Sequence, residues 1–405
     1  MAFCVAGLAG LLSCRSSHKS TETTVRELPT REAVAKATGA TDIRVAVLKD
    51  APAVHIAGGK ARRILNAAGR VVQQPSDDAA LDIRPAAGGL SLNGAAAGGE
   101  SSLRIESASA DEPLSVNGQQ VARVLRIYCA PRSGALNVIA HLDLDEYLLG
   151  VLAGEVPFER WHPEALKAQA ITSRSYAFNQ MRRSSSEAYD VESTVMSQVF
   201  KAGYRNNPVL KAAVSATRGL VLTDNGAPFS AYFHSTCGGH TESGAHVFPE
   251  QPALRPLSGV PCSFCTQSPA YRWKLTLSKA DLERRLKAAS PSSPAGPILR
   301  VEFLDAAGTP VGAQVRAVQV RIHSSGGPWT MPGNQFRLAI GARDLKSLLF
   351  EQVTDTGAAL EIAGAGFGHG VGLCQWGSQG MAQAGYSYAQ ILGKYYPGAE
   401  LTRMY

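Results

Sequence analysis

Apolar and polar positions change places over short intervals along most of this chain. Residues 43–48, 121–129, 136–142, 273–277 and 318–322 are brief β-branched runs, and in the last Val318, Val320 and Ile322 alternate with Gln319, Arg321 and His323. A two-residue period over so few positions predicts strands. The period lengthens in the middle of the chain. Residues 145–154 put Leu148, Val151 and Leu152 on one helical face, and Pro157 disfavours helical backbone at Val156, so a helix should stop there. His162-Pro163-Glu164 opens a second, Ala-rich helix to about Arg182, with Pro163 in the first turn, where its missing N–H costs nothing. Asn207-Pro208 opens a third that stops at Gly219. After it, residues 220–222, the Asp224-Asn225-Gly226 turn and residues 229–233 predict a β-hairpin. The Gly/Ala-rich stretch 85–99 and the Ser/Pro run 290–297 read as loops, the former without a functional reading. The sum is a mixed α+β protein. A β-rich N-terminal part (41–142) precedes a helical core (143–285) and a β-rich C-terminal part (286–405) that ends in a helix.

The 405 residues are enough for two to three structural units, and 45% hydrophobic with 18% charged residues excludes a disordered or fibrous chain. The 40 Lys and Arg against 33 Asp and Glu leave +7, which favours anionic polymers without choosing among nucleic acid, acidic membrane and cell-wall polymer. Residues 2–13 form an apolar, small-residue run, too short for the ~20 residues that cross a bilayer but suited to a signal peptide, although no Lys or Arg precedes it. Its end, Leu11-Leu12-Ser13-Cys14, resembles a bacterial lipobox. Residues 1–14 are therefore expected to be a signal peptide with Cys14 lipidated, and residues 15–40, polar and Ser/Thr-rich, a tether. This predicts an exported lipoprotein of the cell envelope. Seven cysteines less the two in the leader leave five, which cannot form a closed set of disulfides.

Two groups of residues offer chemistry. Glu155 follows Val151 by four and Leu152 by three positions, so its carboxyl shares the apolar face at the negative end of a helix. Burial and the helix terminus both raise its pKa, which suits a general acid; an exposed, frayed helix end is the alternative. Glu146, Glu159 and Glu164 are competing carboxylates, Glu164 being placed to stabilise a helix start. The second group is Cys237-Gly-Gly-His240 with Cys262-Ser-Phe-Cys265. Two pairs, each separated by two residues, have the spacing of a closed tetrahedral zinc site that would pin two loops. His234, or less well His246, is a substitute for His240; a disulfide of Cys262 with Cys265, or with Cys237, is the alternative in an oxidising compartment. Cys129 and Cys374 read as buried small residues rather than nucleophiles.

Several stretches resemble the stage II sporulation protein D family, which includes the amidase-enhancer proteins. They are Tyr147-Leu-Leu-Gly-Val-Leu-Ala-Gly-Glu155-Val-Pro157, Pro163-Glu-Ala-Leu-Lys-Ala-Gln-Ala170 and Arg174-Ser-Tyr-Ala177, then Ser197-Gln198-Val199-Phe200 with Gly203. Phe233-His-Ser-Thr-Cys-Gly-Gly-His-Thr241, Gly366-Phe-Gly-His-Gly-Val-Gly-Leu-Cys-Gln-Trp-Gly377 and Tyr395-Tyr-Pro-Gly398 follow in the family's order. Cys374 stands where many members have serine. The resemblance implies lytic transglycosylase cleavage of peptidoglycan glycan strands with Glu155 as the catalytic residue. One carboxyl suffices for this reaction, because the sugar's own 6-hydroxyl replaces the water or second carboxylate of an ordinary glycosidase. Arg174, Tyr176, Gln198, His234, His369 and Gln375, all inside matched motifs, become the expected substrate contacts, with a buried structural ion pair as the equal alternative for Arg174. The rival expectation is a non-catalytic module that binds glycan and activates a cell-wall amidase. A catalytic zinc is not expected, since four protein ligands leave no position for water. The Gly-rich loop around His369 lacks a phosphate-loop lysine, and no nucleic-acid partner is expected.

Overall fold

Alternating burial along the N-terminal strands builds two sheets around a shared core. The structure, a computed structural model, describes residues 42–405 apart from 60, 76–78, 110, 132, 184–187, 195–196 and 292–295. The expected signal peptide, lipobox and tether lie outside the described residues. One sheet has seven strands in the order Val191–Glu192, Asp42–Ala51, Leu136–Asp143, Val124–Cys129, Ser102–Glu106, Arg63–Asn66 and Val71–Gln73, with only the first pair parallel. The other has six antiparallel strands, from Gln119–Ala122 through Leu114–Val116, Val54–Gly58, Leu81–Ala86 and Gly89–Leu92 to Ala95–Ala96. Ile43, Val45, Ile105 and Ile127 of the first and Ile56, Ile83 and Leu90 of the second are buried in one cluster.

Two expectations need correction here. The run 121–129 is two strands, and exposed Arg123 marks where the chain passes from one sheet to the other. Residues 85–99 are not a loop but hairpin strands. Asn93 and Gly94 adopt φ of 49° and 83°, as a two-residue hairpin turn of opposite twist requires, and Leu90 and Leu92 reach the core.

The helical block follows. α1 (Leu144–Glu155) starts at Asp143, whose carboxylate accepts from the N–H groups of Asp145 and Glu146. α2 (Pro163–Arg183) begins on its proline, and α3 (Pro208–Ala216) is capped by Asn207. α2 is the axis of the molecule, packing against α1 and α3, and it buries polar Gln169, Thr172, Ser173 and Arg174 among its alanines. The short α4 (Gly244–Val247) precedes a second module that contains α5 (Lys279–Ala289) and α6 (Gly333–Ile340). α7 (Gln375–Gln383) and α8 (Tyr388–Tyr395) then return to α2. No helix among the described residues is long and apolar enough to cross a membrane.

The predicted hairpin is shorter than expected. Strand Leu220–Asp224 pairs with Ala227–Pro228, but Pro228 has no N–H to continue the ladder, and residues 229–233 turn away. Strand Phe233–His234 pairs in parallel with Leu373–Cys374 instead. The free edge of Leu220–Asp224 is taken by Glu400–Arg403, so the described chain finishes in a strand rather than a helix. The C-terminal part divides differently too. A second core of Trp273, Leu282, Val320, Ile322, Phe336, Phe350 and Ile362 lies within residues 273–362, built from two three-stranded sheets with α5 and α6. Val371, Leu373 and Cys374 rejoin the first core, so this module interrupts the helical core instead of following it.

Candidate active site

Glu155 ends α1, where Val156 turns extended ahead of Pro157. Gly150 and Gly154 sit four residues apart on that helix, and segment 199–201 presses onto the face they leave bare. A Cβ on Gly154 would lie 2.3 Å from the Val199 carbonyl oxygen, and one on Gly150 would lie 2.3 Å from the Phe200 ring. The close approach lets Lys201 N donate to Gly150 O at 3.0 Å and Val199 N donate to Glu155 Oε1 at 2.7 Å. Tyr147 stacks on Phe200 at 5.6 Å between ring centroids and fixes the same segment from below.

Burial pushes the Glu155 carboxyl up to about 7 from an ordinary 4.5, against the opposing pull of the Val199 N–H and the Gln375 side chain. Gln375 is 5% exposed and its Nε2 has no hydrogen-bond partner, so its amide is close enough to favour the carboxylate without a formed bond to it. Glu155 opens into a cleft of about 530 Å³ whose walls include Phe158, Glu159, Arg160, Lys201 and Tyr204. A half-buried acid that can hold a proton at neutral pH therefore faces a space large enough for a sugar, with two cations at its rim.

The other expected contacts fall in different places. Arg174 is fully buried and gives its guanidinium to Asp145 at 2.9 Å, to the Tyr405 hydroxyl at 3.0 Å, and to Thr217, Val214 O and Leu220 O. Its fully buried guanidinium is an internal ion-pair partner, the alternative weighed for it from the sequence. Gln198 is also fully buried, accepting from the Tyr147 hydroxyl at 3.0 Å and donating to Ser173 O at 3.3 Å. Its neighbour Val199 supplies the group that reaches Glu155, a backbone donor that no side-chain pattern announces. Tyr176 packs edge-on to Tyr232 and is not among the residues that line the cleft.

His234 and His369 meet each other, 5.6 Å between ring centroids, and neither lines the Glu155 cleft. Burial and then Arg316 push His234 down to about 3, so it is neutral; its Nδ1 donates to Val371 O at 3.1 Å and its Nε2 has no partner. His369, also lowered by burial, accepts from Val371 N at 3.0 Å and lines a pocket of about 10 Å³ with Arg316 and Arg337. Both histidines bond to the backbone of Val371 in the Gly-rich loop, outside the lining of the Glu155 cleft. Among the competing carboxylates, Glu146 pairs with Arg205 at 3.4 Å, Glu164 pairs with Lys167 at 2.7 Å, and Glu159 shares the cleft with Glu155.

The cysteines gather as expected, with one substitution. The sulfurs of Cys237, Cys262, Cys265 and Cys374 lie within 4.8 Å of one another, and all four residues are buried free thiols. His240 is exposed and bridges Pro261 through its backbone; His246 is also exposed, paired with Glu242 at 3.1 Å. The fourth place in the cluster belongs to Cys374, because the parallel pairing of Phe233–His234 with Leu373–Cys374 lays the two segments side by side. Spacing rules favoured the nearby histidine over a cysteine far along the chain.

Fold and site together define a mixed α+β protein with one proton-holding carboxyl in an open cleft, buttressed by a separate thiol knot. Comparisons with known proteins agree on a family. The family described as "Stage II sporulation protein" matches residues 132–223, and a domain of unknown function (DUF8618) matches residues 263–372, nearly the span of the interrupting module. The chain is 30% identical over 280 residues to stage II sporulation protein D of Bacillus subtilis, covering 65% of this chain and 76% of that one. It is 31% identical over 274 residues to an uncharacterized protein of Brachyspira hyodysenteriae, covering 67% and 70%. It is 28% identical over 347 residues to the amidase enhancer of Bacillus subtilis, where it covers 74% of this chain but only 47% of the relative. The chain belongs to the stage II sporulation protein D family.

Proposed function

We propose that this protein acts on the bacterial cell wall as a peptidoglycan lytic transglycosylase, cutting between N-acetylmuramic acid and N-acetylglucosamine with Glu155 as its single acid and base. The observation that carries the reading is the Glu155 carboxyl, raised by burial to about 7 beside a cleft of about 530 Å³. Protonated Glu155 gives its proton to the glycosidic oxygen as the bond to C1 breaks. The carboxylate then takes the proton of the 6-hydroxyl as that oxygen closes on C1, so no water is consumed and the acid is restored. Between the two transfers the Val199 N–H and the Gln375 amide stabilise the carboxylate. Arg160 and Lys201 at the cleft suit the lactyl carboxylate of muramic acid.

With this activity goes a location at the cell envelope, where lipidated Cys14 and the tether of residues 15–40 would hold the enzyme near its polymer. Binding glycan to activate a cell-wall amidase is the rival, and it draws on the similarity to a protein named amidase enhancer. A carboxyl kept protonated against water favours cutting. Purified protein and Glu155→Gln should be incubated with peptide-stripped glycan strands and the products weighed by mass spectrometry. Anhydro-muramic ends from the parent alone support the proposal. Ordinary reducing ends would reassign Glu155 and Glu159 to hydrolysis, and intact strands would leave only the binding role.

A further inference from the structure

Cys237 follows strand Phe233–His234, Cys262 and Cys265 lie on the loop before the interrupting module, and Cys374 closes strand Leu373–Cys374 and caps α7. Their sulfurs fall within 4.8 Å of one another, with Cys237 and Cys265 at 3.5 Å. A zinc ion with tetrahedral Zn–S bonds of ~2.3 Å needs sulfurs ~3.8 Å apart, so the knot has the size of a filled site.

The surroundings are built for thiolates. Cys374 Sγ accepts from Cys237 N at 3.2 Å and from Gly377 N at 3.3 Å, and it stands at the positive end of α7. Cys262 Sγ lies 3.1 Å from the Tyr395 hydroxyl. Gly377 alone permits this packing, since a Cβ there would come 2.9 Å from Cys262 Sγ and 2.0 Å from the Tyr395 oxygen.

Charge supplies an independent argument. Arg316 is 6% exposed, donates to Cys237 O at 3.0 Å, leaves Nη1 without a partner and makes no ion pair among the described residues. A buried guanidinium without a direct ion pair is costly, and the Glu242 carboxylate offsets that cost only through space. Zn²⁺ with four thiolates carries −2, and would set an anionic centre beside it.

We propose that Cys237, Cys262, Cys265 and Cys374 bind one zinc ion as a tetrathiolate, balanced by Arg316, and that the ion fixes the start of α7 and with it Gln375 beside Glu155. Binding displaces the thiol protons and leaves no open coordination position, so the ion is structural. Rigidity passes onward through α7, where Trp376 packs edge-on against Trp161 at 6.0 Å and Gln379 accepts from His162 N at 2.9 Å, both in the turn after Glu155. The ligand set stands without the glycan reading; only the purpose of holding Gln375 rests on it.

The full chain, purified under reducing conditions, should contain one zinc by elemental mass spectrometry, and His240→Ala should keep it. Cys374→Ser should bind at least about tenfold more weakly. Because that variant risks misfolding, Cys374→His retains four ligands, and its cobalt-loaded form should lose about a quarter of the sulfur-to-metal charge-transfer absorbance. Chelation should raise hydrogen exchange at residues 374–378 about tenfold or more while leaving strand Asp42–Ala51 unchanged. A disulfide among the four thiols in the native protein, iron in place of zinc, or metal lost with His240 and kept without Cys374 would overturn the site. Unchanged exchange in α7 after metal removal would overturn the clamp. None of these readings uses glycan, so a failed cleavage assay is a separate result.

Discussion

Glu155 and Glu164 flank one turn, and their surroundings drive them apart. In the first turn of α2, Glu164 is held below the usual carboxylate range: burial opposes ionisation, but Lys167 and the Tyr388 N–H outweigh it. At the end of α1, Glu155 has, among the described residues, no cation within ion-pair distance and a single formed hydrogen bond, so burial dominates. Asp145, at the opposite end of that helix, is more heavily satisfied still, by Arg174, Arg218 and the Tyr405 hydroxyl. Partners mark the carboxylates that hold the fold together, and the near-absence of partners sets Glu155 apart as the one proposed for chemistry.

The largest break in this comparison should come from Glu155→Gln, which should lower strand cleavage by roughly 10²–10⁴-fold in a product assay while leaving the circular dichroism spectrum unchanged. Arg174→Ala should cost about 3 kcal/mol in urea unfolding, because it strips Asp145 of its buried partner without touching the cleft. Stability should also depend on pH through Glu155. The folded carboxyl keeps its proton up to about 7 while the unfolded one releases it near 4.5, so stability is fully present below 4.5 and falls as pH rises to 7. The loss is at most about 3 kcal/mol, and it should vanish in Glu155→Gln when melting is compared at pH 4.5 and 8. Gly154→Ala would force Val199 off the helix and remove its hydrogen bond; we expect about 1–3 kcal/mol of destabilisation, and a cleavage pH profile whose limb moves upward. Glu164→Gln should be mildest, below about 1 kcal/mol, with cleavage intact.

Much of this was legible in the sequence, and the illegible remainder has a common cause. The caps and prolines of α1, α2 and α3 are local signals, and the helices formed where those signals put them. The Asn93-Gly94 turn was equally local, but Gly/Ala-rich composition obscured it. Long-range pairing left no trace beforehand: nothing in Phe233–His234 or Leu373–Cys374 says that they will lie side by side, and that pairing decides the fourth thiol. Glu155 was visible because the family resemblance of its motif singled it out; its place on an apolar face fitted that role but did not by itself exclude an exposed helix end. Val199 was invisible because it contributes only its backbone. Arg174 and Gln198 are the converse case, motif residues that hydrogen bonds tie to the interior.

The module that carries the second core leaves and returns on adjacent strands, with Arg272 in register with Ala365. Segments whose two ends meet can be acquired or discarded in one genetic event without stretching the host, so the arrangement reads as a cassette. This cassette is no longer a passenger. Arg316 reaches back from it to the Cys237 carbonyl, so excising residues 272–365 would spare the host's helices yet strip its sulfur knot of the guanidinium bonded beside it.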